Sequence, residues 1–442
     1  MHKVLIANRG AIARRIVRAC AALKISSVVV FAPADAEAPY LSEATEAYPL
    51  IGNTALETYL DQAQLLAIAK RCGADAVHPG YGFLSENPTF ASKVCESGLI
   101  FIGPSPTWLE QMGDKVAART LLAQAGFSVF AGSGLVQSAD EAARALAKIG
   151  LPLVVKPSGG GGGMGMSVVR TESELNAAIE RSRHIATQAF SADGVFLERW
   201  IERPRHIEFQ ILADGAGGAM HLYERECSVQ RRHQKLIEEA PAPGLSRALL
   251  NQQADLAERI CGELGYDNVG TLETLYEDSG QFGFLEMNTR IQVEHGVTEA
   301  VTGLDLVATQ IRLAAGDPLP ADRPPLQGFA VEARLYAEDT QTGFPSTGRL
   351  TVFRPPELYA VRIETGFQEG QWVTPYFDPL LAKIIAHGDT REQAIGRVLV
   401  ALRAFSVEGV TTNRDLLSRV LQDQAFLRGE LDTGIVSRLQ RG

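Results

Sequence analysis

Residues 159–163 are five consecutive glycines, and neither a helix nor a strand interior tolerates such a run. The chain must break there into a loop. Strand-like runs at 151–156 and 168–169 bracket the break closely, which favours a loop of a folded unit over the alternative of a flexible linker. Glycine presents no side-chain obstacle, so the backbone N–H groups of Ser158-Gly159-Gly160-Gly161-Gly162-Gly163-Met164-Gly165 can approach phosphate oxygens closely. The same freedom lets the loop move as a lid. No Lys-Ser/Thr follows the glycines, which excludes a Walker A loop, and the spacing is not that of the dinucleotide fingerprint. Lys156, just before the loop, is placed to reach phosphate as a point charge.

The chain around this lid reads as α/β throughout. Residues 1–112 alternate short apolar strands (4–7, 27–31, 76–78 and 99–102) with amphipathic helices, the pattern of a parallel-sheet unit. Ile12, Ile16, Val17 and Cys20 mark one face of the first helix. Pro79-Gly80-Tyr81-Gly82-Phe83 follows a strand's carboxyl end, where ligands of open α/β sheets tend to sit; by itself it reads first as a tight connection. Residues 113–315 hold strands and long helices, with a small lid module at about 130–200 whose helix spans 172–186 and whose last strand spans 195–198. Residues 318–325 read as a linker, and 330–442 as a mixed α/β tail.

A chain of 442 residues has the length for two or three cores. Its net charge of −10 argues against a nucleic-acid or membrane-surface binder, which needs a basic face, but leaves room for a local anion pocket. No apolar run approaches the length of a membrane span, and the N-terminus lacks a signal peptide's apolar core and cleavage site. Five widely spaced cysteines (20, 72, 95, 227 and 261), with no Cys-x-x-Cys pair, point to reduced, mostly buried thiols in a cytoplasmic protein rather than to a zinc site.

The chemistry concentrates in Glu286-Met287-Asn288-Thr289-Arg290-Ile291-Gln292-Val293-Glu294-His295, a mixture suited to a divalent cation, an anion and a proton acceptor together. Runs 271–277 and 282–288 are strand-like, and Asp278-Ser279-Gly280 supplies a turn between them. A hairpin centred between 279 and 280 puts Glu273 opposite Glu286, and Thr271 opposite Asn288. Facing carboxylates repel; a bridging Mg²⁺ removes the conflict and leaves room for phosphate oxygens. The alternative is two solvated glutamates, which the apolar neighbours Leu272, Leu275, Phe284 and Leu285 disfavour. Arg290, Gln292 and Glu294 have period-2 spacing and share a face if they lie in a strand. There the arginine can fork onto a small oxyanion and Glu294 can serve as a base. The basic run Arg231-Arg232-His233-Gln234-Lys235 adds the donors His233 and Lys235, although such a run alone is most often a solvated face. His206, ahead of the strand predicted at 207–212, suits either a nucleotide sugar or core packing. Arg334, in the strand predicted at 331–335, suits either the same cleft or a structural ion pair.

Several long motifs, in this order, resemble those of the biotin carboxylases, an ATP-grasp family, over essentially the whole chain. They are Ile6-Ala7-Asn8-Arg9-Gly10, His78-Pro79-Gly80-Tyr81-Gly82-Phe83-Leu84-Ser85-Glu86-Asn87, Met112-Gly113-Asp114-Lys115, the glycine lid, Gln230-Arg231-Arg232-His233-Gln234-Lys235, Glu238-Glu239-Ala240-Pro241-Ala242-Pro243 and residues 286–295. The resemblance implies a Rossmann-like N-terminal domain (1–112), an ATP-grasp domain with a mobile lid (113–315) and a C-terminal biotin carboxylase domain (316–442). It implies that ATP activates bicarbonate as carboxyphosphate and that the carboxyl group passes to a biotin ring nitrogen. Mg²⁺ or Mn²⁺ and lysines then offset the charge on the transferring phosphoryl group, and lid closure excludes water.

Residue roles follow from the same resemblance. Lys115, Lys156 and the Gly162 and Gly163 amides contact ATP phosphates, Glu198 to Ile201 face adenine, and Leu275, His206 and His233 line the nucleotide. Glu273, Glu286 and Asn288 hold the metal. Lys235, Arg290 and the Val293 amide hold bicarbonate, and Glu294 deprotonates it. Arg334 stabilises the biotin enolate, with Tyr81, Gly82 and Gln292 lining the biotin site.

The chain departs from the family pattern at Met164, where acyl-CoA-type members generally carry Lys or Arg, at Gly296, where proline usually follows the Glu-His pair, and at Ala11, where glutamate is common near a dimerisation surface. None of these removes a residue assigned to chemistry. There is no Ala-Met-Lys-Met biotinylation signature and no length for a carboxyltransferase, so the expectation is a free-standing subunit that forms a homodimer. Its expected partners are a separate biotin carrier protein and carboxyltransferase subunits. Acetyl-CoA carboxylase, making malonyl-CoA for fatty-acid synthesis, is the default assembly; another acyl-CoA or urea-type carboxylase is the nearest alternative. The rivals are a non-biotin ATP-grasp ligase, disfavoured by the Arg290, Glu294 and Arg334 set, and an inactive nucleotide-binding regulatory subunit.

Overall fold

Branched apolar runs near the N-terminus build a parallel sheet of β1 (Lys3–Ile6), β2 (Ser26–Phe31), β3 (Glu46–Pro49), β4 (Ala76–His78) and β5 (Ile100–Phe101), in the order β3-β2-β1-β4-β5. The structure is a computed structural model that describes residues 1–159, 163–190 and 194–441. Val4, Leu5 and Ile6, like Val28, Val29 and Val30, have no exposed surface, as expected where helices cover both faces of a parallel sheet. Ile12, Ile16, Val17 and Cys20 of the helix Gly10–Ala22 pack against one face. The strand order reverses between β1 and β4, which opens a crevice at their carboxyl ends. Asn8 pins that crevice: its Nδ2 donates to the carbonyls of Pro79 at 2.6 Å and Tyr81 at 2.8 Å. A Cβ on Gly80 (φ +66°) would sit 2.9 Å from Asn8 Nδ2, so this turn requires glycine.

The lid module is a second, antiparallel sheet of β6 (Gly132–Val136), β7 (Leu153–Pro157), β8 (Ser167–Val169) and β9 (Val195–Arg199), in the order β6-β9-β7-β8. Leu153, Val155, Val169 and Leu197 give it a small core of its own. The glycine run leaves β7 and re-enters at β8. The helix predicted at 172–186 is observed at Leu175–Phe190, behind a 3₁₀ turn at Glu172–Glu174.

The central sheet takes β10 (Arg205–Asp214), β11 (Ala219–Arg231), β12 (Gln234–Ala240), β13 (Asp267–Tyr276), β14 (Phe282–Asn288) and β15 (Phe329–Tyr336). After these come β16 (Gly348–Arg349), β17 (Val352–Arg354), β18 (Val361–Glu364), β19 (Trp372–Val373), β20 (Leu380–Gly388) and β21 (Ser406–Glu408). Eight strands join in the order β14-β13-β10-β11-β12-β15-β20-β18, all antiparallel, while β16 pairs with β19 and β17 with β21 in short ribbons. The pairing of β12 with β15 carries the sheet from the middle of the chain into its C-terminal part, so no gap separates Lys235 from Arg334.

Two sequence expectations meet the structure differently. In the β13–β14 hairpin, Glu273 does face Glu286 and Thr271 does face Asn288. The turn, however, is centred on Ser279, since Tyr276 pairs with Phe282, and a bulge at Leu285 recovers the expected register at the carboxylates. Residues 289–294, read as a strand, form a loop instead. Thr289 N–H goes to Glu86 Oε1 at 3.1 Å rather than to a neighbouring strand, and the helix His295–Thr302 begins directly after.

Arg391, on the helix Arg391–Ala404, ties that helix to β12. Its Nε and Nη2 donate to Glu239 at 2.6 and 2.9 Å, and its remaining N–H groups reach the carbonyls of Phe426 and Leu427 at 2.8 and 2.9 Å. Breaking a buried pair strands the surviving charge, so Arg391→Met is expected to lower the unfolding free energy by about 3–5 kcal/mol in denaturant melts. Burial raises the Glu239 carboxyl above its usual range against the pull of Arg391. Without Arg391 it rises further, so the loss is expected to be smaller in acid, where Glu239 is protonated both folded and unfolded, than in alkali.

Candidate active site

The lid, the central sheet and the 289–294 loop enclose a cleft of about 460 Å³. Its floor is a row of like charges: Glu208 on β10 faces Glu273 on β13, which faces Glu286 on β14. Bare, such a row destabilises a sheet. Lys235 on β12 resolves most of the conflict, with Nζ 2.6 Å from Glu208, 2.8 Å from Glu273 and 2.6 Å from Glu294. Behind it Arg225, without exposed surface, donates to Glu208, Gln210, Thr271, Gln292 and Thr298. Gln292 Nε2 in turn donates to Glu273 at 2.7 Å, and His206 Nε2 lies 3.0 Å from the other Glu273 oxygen.

Burial opposes charge on each of these groups, and their mutual attraction prevails. Lys235 is held well above the usual ammonium range by Glu208, Glu273 and Glu294. Glu273 is held well below the carboxylate range by Lys235 and His206. Glu294 is held low by Lys235, Arg334 and Arg225. Glu294 is therefore ionised at any physiological pH, a carboxylate able to accept a proton once a ligand displaces its partners.

The lid end of the cleft carries cations suited to phosphate. Lys115 Nζ is 2.5 Å from Glu286, Lys156 forms a close ion pair with Glu198, and Arg119 Nε lies 3.2 Å from the same Glu198 carboxylate. Arg232 and His233 (φ +51° and +68°) form the two-residue turn of the β11–β12 hairpin, where Arg231 pairs with Gln234. Positive φ at both central residues is the type I′ requirement, met here by residues that seldom adopt it. The turn presses the His233 ring onto the lid: a Cβ on Gly163 would fall 2.4 Å from the ring, so glycine permits the approach. Burial and the nearby Lys156 and His206 lower the His233 pKa, keeping the imidazole neutral.

At the far end, Arg290 Nε donates to Glu86 at 2.8 Å and its Nη2 to Asn288 Oδ1 at 2.7 Å. Arg334 Nη2 donates to Glu294 at 2.9 Å. The Val293 carbonyl accepts from Lys383 Nζ at 2.5 Å. For a divalent cation, Glu273 and Glu286 offer carboxylate oxygens from facing positions, and Asn288 adds a carboxamide whose Nδ2 is buried without a partner among the described residues. These hard oxygen donors fit Mg²⁺ or Mn²⁺. A second trio, His206, Glu208 and Glu273, also converges, but Lys235 already sits between its carboxylates.

Nearly every residue singled out from sequence lines this cleft: Lys115, Lys156, Gly163, Glu198, Ile201, His206, His233, Lys235, Leu275, Glu273, Glu286, Asn288, Arg290, Gln292, Val293, Glu294 and Arg334. Tyr81 and Gly82 do not; Tyr81 packs at the edge of the N-terminal core. Gly162 lies outside the described residues. Sequence reasoning missed Glu208, Arg225, Glu86 and Glu238. Glu208 is two residues from His206 on one strand face, and Glu86 and Glu238 lie inside quoted motifs, so these three were within reach; Arg225 carries no local signal. Of the departures noted, Met164 lines the cleft and is 55% exposed. A Cβ on Gly296 would meet Ile385 Cδ1 at 2.5 Å and Glu332 Oε2 at 3.0 Å.

A lysine-lined cleft between a glycine-hinged lid and an antiparallel sheet, next to a parallel N-terminal unit, is the architecture of an ATP-grasp ligase. Residues 1–109 match the biotin carboxylase N-terminal domain, 114–322 the ATP-binding domain of the carbamoyl-phosphate synthase L chain, and 332–438 the biotin carboxylase C-terminal domain. The chain is 46% identical over 439 residues to a biotin carboxylase of Halalkalibacterium halodurans, covering 98% of this chain and 97% of that one. It is 43% identical to a pyruvate carboxylase subunit of Methanothermobacter thermautotrophicus, covering 100% and 90%. Its structure is similar to the biotin carboxylase domain dimer of Hydrogenobacter thermophilus 2-oxoglutarate carboxylase in complex with MgADP, ADP and bicarbonate, with TM-score 0.96, 40% identity and coverage of 99% and 98%. The chain belongs to the biotin carboxylase family, the ATP-dependent carboxylating component of biotin-dependent carboxylases.

Glu286→Gln keeps the shape of the facing pair but removes one charge. ATP turnover is expected to fall at least about tenfold and to require more Mg²⁺; near-normal turnover at low Mg²⁺ would contradict the metal assignment.

Proposed function

We propose that this chain carboxylates biotin on a separate carrier protein, using ATP and bicarbonate in the cleft described above, as the biotin carboxylase subunit of an acyl-CoA carboxylase, with acetyl-CoA as the first acceptor to test. The observation that carries the reading is Glu294, held between Lys235 and Arg334 with Arg290 lining the same cleft. One base flanked by cations is what deprotonation of a small oxyanion requires.

Lys115, Lys156 and the lid amides, including Gly163, hold the ATP phosphates, with Glu198, Ile201, Leu275, His206 and His233 around the rest of the nucleotide. Lys115 and Glu286 are now each other's partner; a bound phosphate takes Lys115 and leaves Glu286 free for the cation. A divalent cation held by Glu273, Glu286 and Asn288 supplies charge compensation at the phosphates. Lys235, Arg290 and the Val293 amide hold bicarbonate, and Glu294 takes its proton. The γ-phosphoryl group passes to the bicarbonate oxygen and ADP leaves; as the C–O bond of the resulting carboxyphosphate breaks, the departing phosphate takes the proton of the biotin ring nitrogen, and that nitrogen forms the new bond to the carboxyl carbon. Arg334 directs its charge at the ureido oxygen of biotin, where negative charge develops. The closed lid keeps water from the intermediate.

The final acceptor never enters this cleft, so the acyl-CoA reading rests on family resemblance. The 43% identity to a pyruvate carboxylase component favours a second reading, a 2-oxo acid carboxylase. Reconstitution with candidate carrier and carboxyltransferase subunits, scored on acetyl-CoA against pyruvate, separates the two. The homodimer is likewise proposed, on the dimer named for the Hydrogenobacter domain.

Glu294→Gln is expected to retain ATP binding while carboxybiotin formation falls by about a hundredfold or more; unchanged carboxylation would remove Glu294 as the base. Met164→Arg is expected to tighten ATP binding by about two- to fivefold, the scale of one partly exposed ion pair. Unchanged affinity would mean that methionine is neutral there.

A further inference from the structure

Arg334 does not depend on Glu294 alone. The Nη2 that donates to Glu294 also lies 2.6 Å from Glu238 Oε1. Glu238 is on β12, and directly opposite it in the ladder, on β15, stands Glu332. Neither has any exposed surface. Facing carboxylates repel, and burial makes two charges there costlier still. Among the described residues, no aligned hydrogen bond reaches any oxygen of either carboxyl group; Arg334 approaches Glu238 as an ion pair, out of line. The charged groups facing the pair are few. Glu238 faces Arg334, Glu294 and Lys235, while Glu332 faces Lys383, Glu364 and Arg334, with the Arg362 guanidinium, which donates to the Gly296 carbonyl, close by. Lys383 is 3.7 Å from Glu332 and is already committed to Glu364 at 2.7 Å and to the Val293 carbonyl.

Two buried carboxyl groups that face each other with so little compensation retain a proton between them. Burial first, and the neighbouring carboxylates next, push Glu238 up to about 7 and Glu332 up to about 8, against the pull of Arg334 and Lys383.

We propose that Glu238 and Glu332 form a one-proton pair that positions Arg334, keeping its guanidinium in the cleft when Glu294 has been neutralised by the proton it takes from bicarbonate. The proposal rests on the reading of Glu294 as the base given above. Before proton uptake, Arg334 is shared between two carboxylates. Afterwards Glu294 offers no charge, and the singly charged pair alone retains the guanidinium. A doubly charged pair would draw Arg334 back into the sheet, and a neutral pair would release it. The pair exchanges no atom with substrate: the proton on Glu294 comes from bicarbonate, and the pair keeps its own. Both glutamates are positioning residues, acting through Arg334.

The test compares wild type, Glu238→Gln and Glu332→Gln in carboxylation of free biotin. Glu238→Gln is expected to lower kcat/KM for biotin by about ten- to a hundredfold, the scale of a misplaced reacting group, with nucleotide affinity unchanged. Glu332→Gln, which leaves the single charge on Glu238 beside Arg334 but removes the partner carboxyl, is expected to show a smaller loss of the same kind, and the double variant to lose no more than the worse single one, because the two act as a unit. Isotope-edited infrared spectra should show a protonated carboxyl band in the wild type at neutral pH, lost on alkaline titration and absent from the double variant. Equal losses of nucleotide affinity and biotin turnover would overturn the proposal in favour of a merely structural role. So would wild-type kinetics in both variants. If a variant fails to fold, the wild-type infrared spectrum decides: no protonated carboxyl, no one-proton pair. Wild-type protein that forms no carboxybiotin would overturn the underlying reading instead, and the infrared band tells the two failures apart.

Discussion

A row of three glutamates across adjacent strands, Glu208, Glu273 and Glu286, is a conflict that a sheet resolves with cations. Lys235 touches two of the three and also Glu294. That single ammonium draws β10, β12, β13 and the 289–294 loop to one point. Arg225, with no exposed surface, secures the same point from behind. Remove the lysine, and three buried carboxylates remain with too little charge to offset them. The site and the centre of the fold are therefore one electrostatic unit, and the residues offered to substrate are also those that hold the sheet's middle together.

The same economy runs toward the lid. Each cation suited to a phosphate is engaged with a carboxylate: Lys115 with Glu286, and Lys156 with Glu198. A ligand must displace these pairs, so its charge is recognised against an internal competitor rather than against bulk water. In the proposed function, displacement also releases Glu286 for a divalent cation, so that cation binding follows the arrival of phosphate. The lid meets the central sheet at a close steric contact. Arg232 and His233 hold left-handed backbone in a two-residue turn, and the His233 ring lies where a side chain on Gly163 would have to be. The strained turn thus sits where it touches the lid.

Much of this was legible in the sequence, for local reasons. A glycine run between strands announces a loop, and the hairpin 271–288 could be registered because its turn residues and apolar neighbours agreed. Even there, the turn proved to be one half-step from its expected centre, and the bulge at Leu285 brought the carboxylates back opposite each other. Period-2 spacing at Arg290, Gln292 and Glu294 suggested a strand, but Glu86, some 200 residues earlier in the chain, takes the Thr289 N–H and the segment becomes a loop. The side chains converge all the same, through tertiary contacts that spacing cannot express. Arg225 and the Glu238–Glu332 pair were out of reach because their meaning depends on cross-strand partners distant in sequence. The turn at Arg232 and His233 was hidden for another reason: neither is a residue type that signals positive φ.

The most direct test of this account is ATP hydrolysis by the purified chain with Mg²⁺ and bicarbonate, measured with and without free biotin while carboxybiotin is followed. Turnover stimulated by biotin, with carboxybiotin accumulating, is the predicted result. Turnover indifferent to biotin, or nucleotide binding without turnover, would contradict it.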